Sequence, residues 1–225
     1  MEIKDNILKG YLKNVRFVTG TAYAGKSTMC GLLAERFGLI HCEENYGLDQ
    51  FLALADPEHQ PNLCYFKTMG SWQEFLSRTP EEYYDWIIGN QYEVAGFEIA
   101  ELIRKSQNQI VIADTNIPLE YLHRITDYHQ VAVMLSPQSM SVERFFDRSD
   151  PEKQFLLEQI RLSPNPEKTM ENFKECIRRI NSQQVYEEYA QSGFFTLVRT
   201  DDKKDTREEI LLALAEHFRL ENIIK

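Results

Sequence analysis

The sequence predicts an α/β domain, and three observations predict it. Short apolar, β-branched runs alternate with stretches of helical periodicity along the whole length. A glycine-containing turn joins the first such run to the first helical stretch. The chain has 225 residues, 43% of them hydrophobic, which suits a single domain over 1–225 with a sizeable core.

The first apolar run is Val15 to Val18, short and β-branched as a buried strand should be. Gly20-Thr21-Ala22-Tyr23-Ala24-Gly25-Lys26-Ser27-Thr28 follows and matches G-x-x-x-x-G-K-S/T at every fixed position. Met29, Leu32, Leu33 and Phe37 then fall at helical spacing, and Gly38 stands where a helix C-cap is expected. Each fixed position has a physical task. Gly20 and Gly25 let the backbone turn so that successive N–H groups, those of Ala22, Tyr23, Ala24 and Thr28 among them, face a phosphate. Lys26 places a positive charge on the outer phosphates. Ser27 offers a hydroxyl to magnesium, and the helix N-terminus adds a favourable dipole.

On this segment the chain resembles the P-loop kinases, the nucleoside, nucleotide and small-metabolite kinases. The resemblance implies a three-layer P-loop NTPase fold, a parallel sheet flanked by helices, with a helical insertion and an extended helical lid. It also implies ATP and Mg2+ as cofactors. It spans nearly the whole chain, but only the glycine-lysine loop is specific.

Leu39 to Cys42 is a short second strand ending in Glu43-Glu44. Ligands of open parallel sheets lie beyond the carboxyl ends of the strands. In kinases that phosphorylate hydroxyls an acidic residue here orients or deprotonates the acceptor; the resemblance carries that role to Glu43, with Glu44 second and a solvated turn as the plain alternative. Residues 49–105 read as a helical acceptor-side insertion. Ser71…Glu74 and Thr79-Pro80…Glu82 have the form of capping boxes. The helix from Pro80 carries Tyr83, Trp86 and Asn90; the family places acceptor contacts here, whereas a core-facing aromatic stripe is the simpler reading.

Gln109 to Asp114 is an apolar run ending in an aspartate, the form of a Walker B strand, so Asp114 is expected to hold magnesium opposite Ser27, with a helix N-cap in the Asp114-Thr115-Asn116 turn as the plain alternative. Asp114-Thr115-Asn116 is also similar to the strand end of polynucleotide 5′-hydroxyl kinases. Val131 to Leu135 is a buried strand. Residues 137–192 are then expected to form the lid and a long helical arm. Arg144 and Arg148, four apart on one helix face, match the lid arginines that close over the transferring phosphate, with Arg161 a third candidate. Ser163-Pro164-Asn165-Pro166 breaks the helix begun at Pro151, and one long amphipathic helix is expected from about Glu167 to Ala190, as a packing arm or a homodimer surface. Phe194 to Val198 is the last strand; Arg199-Thr200-Asp201 follows where family members contact adenine, and Asp205 is expected to cap the final helix.

The net charge of -10 disfavours a long nucleic acid as partner. Four scattered cysteines, an N-terminus of mixed charge and the lack of a long apolar run lead to the expectation of a cytoplasmic protein with no membrane partner. The expected function is therefore ATP- and magnesium-dependent phosphotransfer to a small-molecule hydroxyl or phosphate acceptor, with Lys26, Glu43, Asp114, Arg144 and Arg148 as the catalytic set. The alternatives are a polynucleotide 5′-hydroxyl kinase or a nucleotide switch that transfers nothing. Against the last, the N-K-x-D motif of GTPases and the L-S-G-G-Q motif of ABC ATPases are absent.

Overall fold

The computed structural model describes residues 3–143, 145–146, 151–199 and 205–220. In chain order the elements are α1 (Asp5–Tyr11), β1 (Val15–Gly20), α2 (Lys26–Phe37), β2 (Ile40–Cys42), α3 (Leu48–Leu54), α4 (Tyr65–Thr68), α5 (Trp72–Leu76) and α6 (Pro80–Lys105). There follow β3 (Val111–Asp114), α7 (Leu119–Ile125), a 3-10 turn (Tyr128–Gln130), β4 (Val131–Leu135), α8 (Gln138–Glu143), α9 (Pro151–Arg161), α10 (Pro166–Ile180), α11 (Gln183–Ala190), β5 (Phe195–Val198) and α12 (Arg207–His217).

The five strands form one all-parallel sheet in the order β2-β3-β1-β4-β5. Parallel neighbours require crossovers, and the helices that make them cover both faces, so the strands read as continuous apolar runs. Strand alternation divides the core in two. Val15 and Phe17 face the side filled by Leu12, Ala95, Leu102, Leu122 and Ile125. Val18, Ile112 and Met134 face Met29, Cys30, Leu33, Leu214 and Phe218 of α2 and the C-terminal segment. A third cluster, around Phe75, Tyr83, Phe173 and Ile177, packs α5, α6, α9 and α10 together. The buried Gln130 amide donates to Leu12 O at 2.7 Å and Val15 O at 3.0 Å, which fixes the entry to β1.

Most expected elements are present with shifted ends. β1 runs on through Thr19 and Gly20, because these pair with Val133 and Met134. Gly38 closes α2 in the left-handed conformation, as expected. Thr79 makes the full capping box, with Pro80 in the first turn of α6, and Ser71 accepts from Glu74 N.

Two expectations are corrected. The helix expected from Glu167 to Ala190 is two helices. Asn181 turns its side chain back to Ile177 O at 3.0 Å, and Ser182 starts α11 by accepting from Val185 N. Asp205 is not the cap of the last helix: Thr206 holds that position without a side-chain hydrogen bond, while Asp205 accepts from the Arg207 amide at 3.1 Å and pairs with its guanidinium. Among the described residues no helix is long and apolar enough to cross a membrane.

Candidate functional site

β3 ends at Asp114, opposite Val18, and β1 runs on beside it to Gly20. That register, with the loop from Gly20 leading straight into α2, decides which side chains meet. Gly20 has φ +127, and a Cβ there would stand 2.0 Å from Met134 O, so only glycine allows β1 to run this close to β4. Thr21 N donates to Met134 O at 3.0 Å, and Ser136 Oγ donates to Ala22 O at 2.6 Å, tying the loop to the end of β4. Tyr23 has φ 65, a rare conformation for a bulky side chain, and its carbonyl accepts from Arg199 Nη1 at 3.2 Å. Gly25, in the left-handed region with φ 91, is the N-cap of α2 and provides no side-chain cap. The first amides of α2, those of Lys26, Ser27 and Thr28, therefore lack an intrahelical or capping acceptor.

Lys26 Nζ folds back over this loop, 3.2 Å from Thr21 O and 3.4 Å from Gly20 O. Ser27, exposed in the first turn of α2, donates from Oγ to Asp114 Oδ2 at 2.6 Å. Asp114 is 2% exposed, and its other oxygen, Oδ1, is buried with no hydrogen-bond partner. Burial raises its carboxyl above the usual range. Lys26 and the Ser27 hydrogen bond oppose the rise, Glu44 adds to it and His41 opposes it. A buried carboxylate oxygen with no partner is costly unless a cation or donor meets it. The Ser27 hydroxyl and the Asp114 carboxylate are hard oxygen donors, the kind magnesium takes, and the loop amides with Lys26 are the kind a polyphosphate takes. The residues present fit both groups.

Gly20, Ala22, Tyr23, Ala24, Gly25, Lys26, Ser27 and Thr28 form the loop and first turn of α2, and the Ser27–Asp114 hydrogen bond joins Asp114 to them. Of the two glutamates after β2, Glu44 is the one drawn towards Asp114. Its Oε1 accepts from Asn116 Nδ2 at 2.8 Å, and its charge acts on Asp114. Glu43 is exposed, with His41 Nδ1 at 4.0 Å from its carboxylate. Arg144 and Arg148 lie outside the described residues, as do Thr200 and Asp201. Arg161 pairs with Glu158 on the surface of α9. Tyr83 is buried against Phe75, Trp86 and Phe173, and Trp86 donates from its indole to Asn62 O at 3.0 Å, so both belong to the packing of the third cluster. Asn90 Nδ2 reaches the same carbonyl at 3.5 Å.

Sequence reasoning missed three residues here. Glu98 of α6 is 7% exposed and lies beside Thr115, and burial is the largest cause that pushes its carboxyl up to about 7. The Thr115 hydroxyl opposes that shift, while Asp114 and Glu44 reinforce it. Its signal was its position: Glu98 falls in the stripe of Ala95 and Leu102, where an apolar residue belongs. Tyr189 of α11 brings its hydroxyl beside Thr19, within the field of Glu44. Lys153 of α9 stands 5.8 Å from the centre of the Tyr23 ring.

Comparison of the chain with protein-family models and with curated proteins finds no match.

Proposed function

We propose that this protein is an ATP- and magnesium-dependent phosphotransferase of the P-loop kinase type, acting on a small-molecule acceptor. The observation that carries the reading is the Ser27–Asp114 hydrogen bond, with the unpartnered Asp114 Oδ1 beside it, at the mouth of a glycine-lysine loop. Ser27 and Asp114 would hold the metal. When bound, magnesium would supply charge neutralisation on the phosphate oxygens. The amides of the loop and of the first turn of α2 would orient the phosphates, and Lys26 would exchange its weak carbonyl contacts for a charge-assisted bond to them. Arg199 steadies the loop through Tyr23 O. Arg144 and Arg148 keep the lid role that the resemblance implies. The carboxylates after β2 face the acceptor side, and a net charge of -10 favours a small acceptor over a long nucleic acid.

The test is transfer of the terminal phosphate of labelled ATP to a panel of acceptors, by wild type and Lys26→Ala. The reading predicts acceptor-dependent transfer that falls about 100- to 1,000-fold in the variant. ATP hydrolysis at full rate without any acceptor would favour a nucleotide switch, and transfer unchanged in Lys26→Ala would overturn the assignment.

A further inference from the structure

α10 (Pro166–Ile180) buries Phe173, Cys176 and Ile177 among the surrounding helices and turns its opposite face to solvent. Along that face Glu167, Glu171, Lys174 and Arg178 follow one another at spacings of four, three and four, and all four are exposed. They form a single stripe. The order of the signs is the informative part. A solvated helix face gains when opposite charges stand four apart, but here like charges do so twice, Glu167 with Glu171 and Lys174 with Arg178. The helix dipole favours an acid in the first turn and a base in the last, which accounts for Glu167 and Arg178. It does not reach Glu171 and Lys174 in the middle turns. Of the four, Arg178 pairs with Glu175 of its own helix, and the others make no ion pair among the described residues.

Acid, acid, base, base at these spacings is symmetric about the middle of α10. Turned end for end, the stripe meets a second copy of itself with every sign opposed. Glu167 then stands opposite Arg178 of the second copy, and Glu171 opposite its Lys174. A two-fold axis across the helix makes both contacts twice, because an isologous interface sets residue i on j and j on i. The groove between α9 and α10, beside the stripe, is lined by Leu157, Ile160, Pro166 and Met170 and adds apolar ground on the same side. Arg178 can take a second carboxylate while it keeps Glu175, since a guanidinium has more N–H donors than one carboxylate uses. A net charge of -10 repels two copies at long range, so this local opposition of signs is what would hold them.

We propose that the outer face of α10 is a self-association surface, on which a second copy of this chain docks with its α10 antiparallel. Glu167 faces Arg178 and Glu171 faces Lys174 across the two-fold axis. Exposed ion pairs beside a small apolar groove make a weak, reversible dimer. The contact needs nothing from the nucleotide loop, so it stands or falls apart from the phosphotransfer reading.

The experiment is sedimentation velocity on the whole chain over about 1 to 500 μM, the range of weak association. Wild type is compared with Glu171→Lys, with Lys174→Glu, with the double variant carrying both, and with an equimolar mixture of the two single variants. Both positions are exposed, so the variants are expected to fold, which their melting curves verify. Wild type should pass from monomer to dimer, and each single variant should weaken that step about 10-fold or more, because it sets like charges face to face twice. The double variant has the net charge of wild type and should recover the dimer. The mixture should form a heterodimer, since each variant chain then opposes the other's charges. Wild type that stays monomeric, or that grows beyond two copies, overturns the proposal. So do single variants that associate as wild type does, and a double variant or mixture that stays as weak as the single variants alone.

Discussion

Ser27 and Asp114 stand 87 residues apart in sequence, and their side chains meet at 2.6 Å. The contact follows from strand parity. Asp114 shares a face with Ile112, which packs under α2, and it is level with Val18, from which β1 runs on to Gly20 and the loop that leads to Ser27. Because burial already raises the Asp114 carboxyl, an amide of the same shape is tolerated there by the fold. Asp114→Asn should therefore melt close to wild type yet transfer phosphate about 100-fold more slowly, and require more magnesium. Rates measured across a magnesium series, beside the melting temperature, check this.

Gly20 at the end of β1 and Gly96 in α6 differ in what a side chain would meet. Gly20→Ala puts a Cβ 2.0 Å from Met134 O at φ +127, so it should cost about 2 kcal/mol or more of stability. Gly96 lies inside α6, exposed, and a Cβ there meets nothing within 4 Å. Gly96→Ala should instead stabilise by about 0.5–1 kcal/mol. Denaturant unfolding of both variants gives the comparison; two changes of the same sign would contradict the geometry.

Glu98 makes stability depend on pH. Its carboxyl is raised from 4.5 to about 7, chiefly by burial. Between those values the native chain holds a proton on Glu98 that the unfolded chain has released, so stability falls as pH rises through the window. The full difference is about 3 kcal/mol. Glu98→Gln should flatten this contribution and should be the more stable form above pH 7. Unfolding midpoints of both proteins between pH 4.5 and 8 test the sign.

The loop was legible because each fixed position has one physical purpose at a local spacing. Gly20, Gly25, Lys26 and Ser27 need nothing from the rest of the chain to be recognised. Asp114 was legible as the end of an apolar run, but its bond to Ser27 was not, since parallel register is a tertiary property. The break at Asn181-Ser182 was hidden by an apolar periodicity that carries on through it, although serine before Val185 is a plausible helix start. Glu98 read as one more polar residue of a 26-residue helix. Only the packing of α6 onto β3 shows that it faces inward.

On the phosphotransferase reading, the loop from Gly20 to Thr28 holds a triphosphate with its metal. Calorimetric titration of the folded chain with ATP, with and without magnesium, tests it most directly, with Lys26→Ala titrated in parallel. Saturable heat with one site per chain is expected, strengthened by magnesium and weakened at least 10-fold in the variant. Absence of binding by wild type, or equal binding by Lys26→Ala, would contradict it.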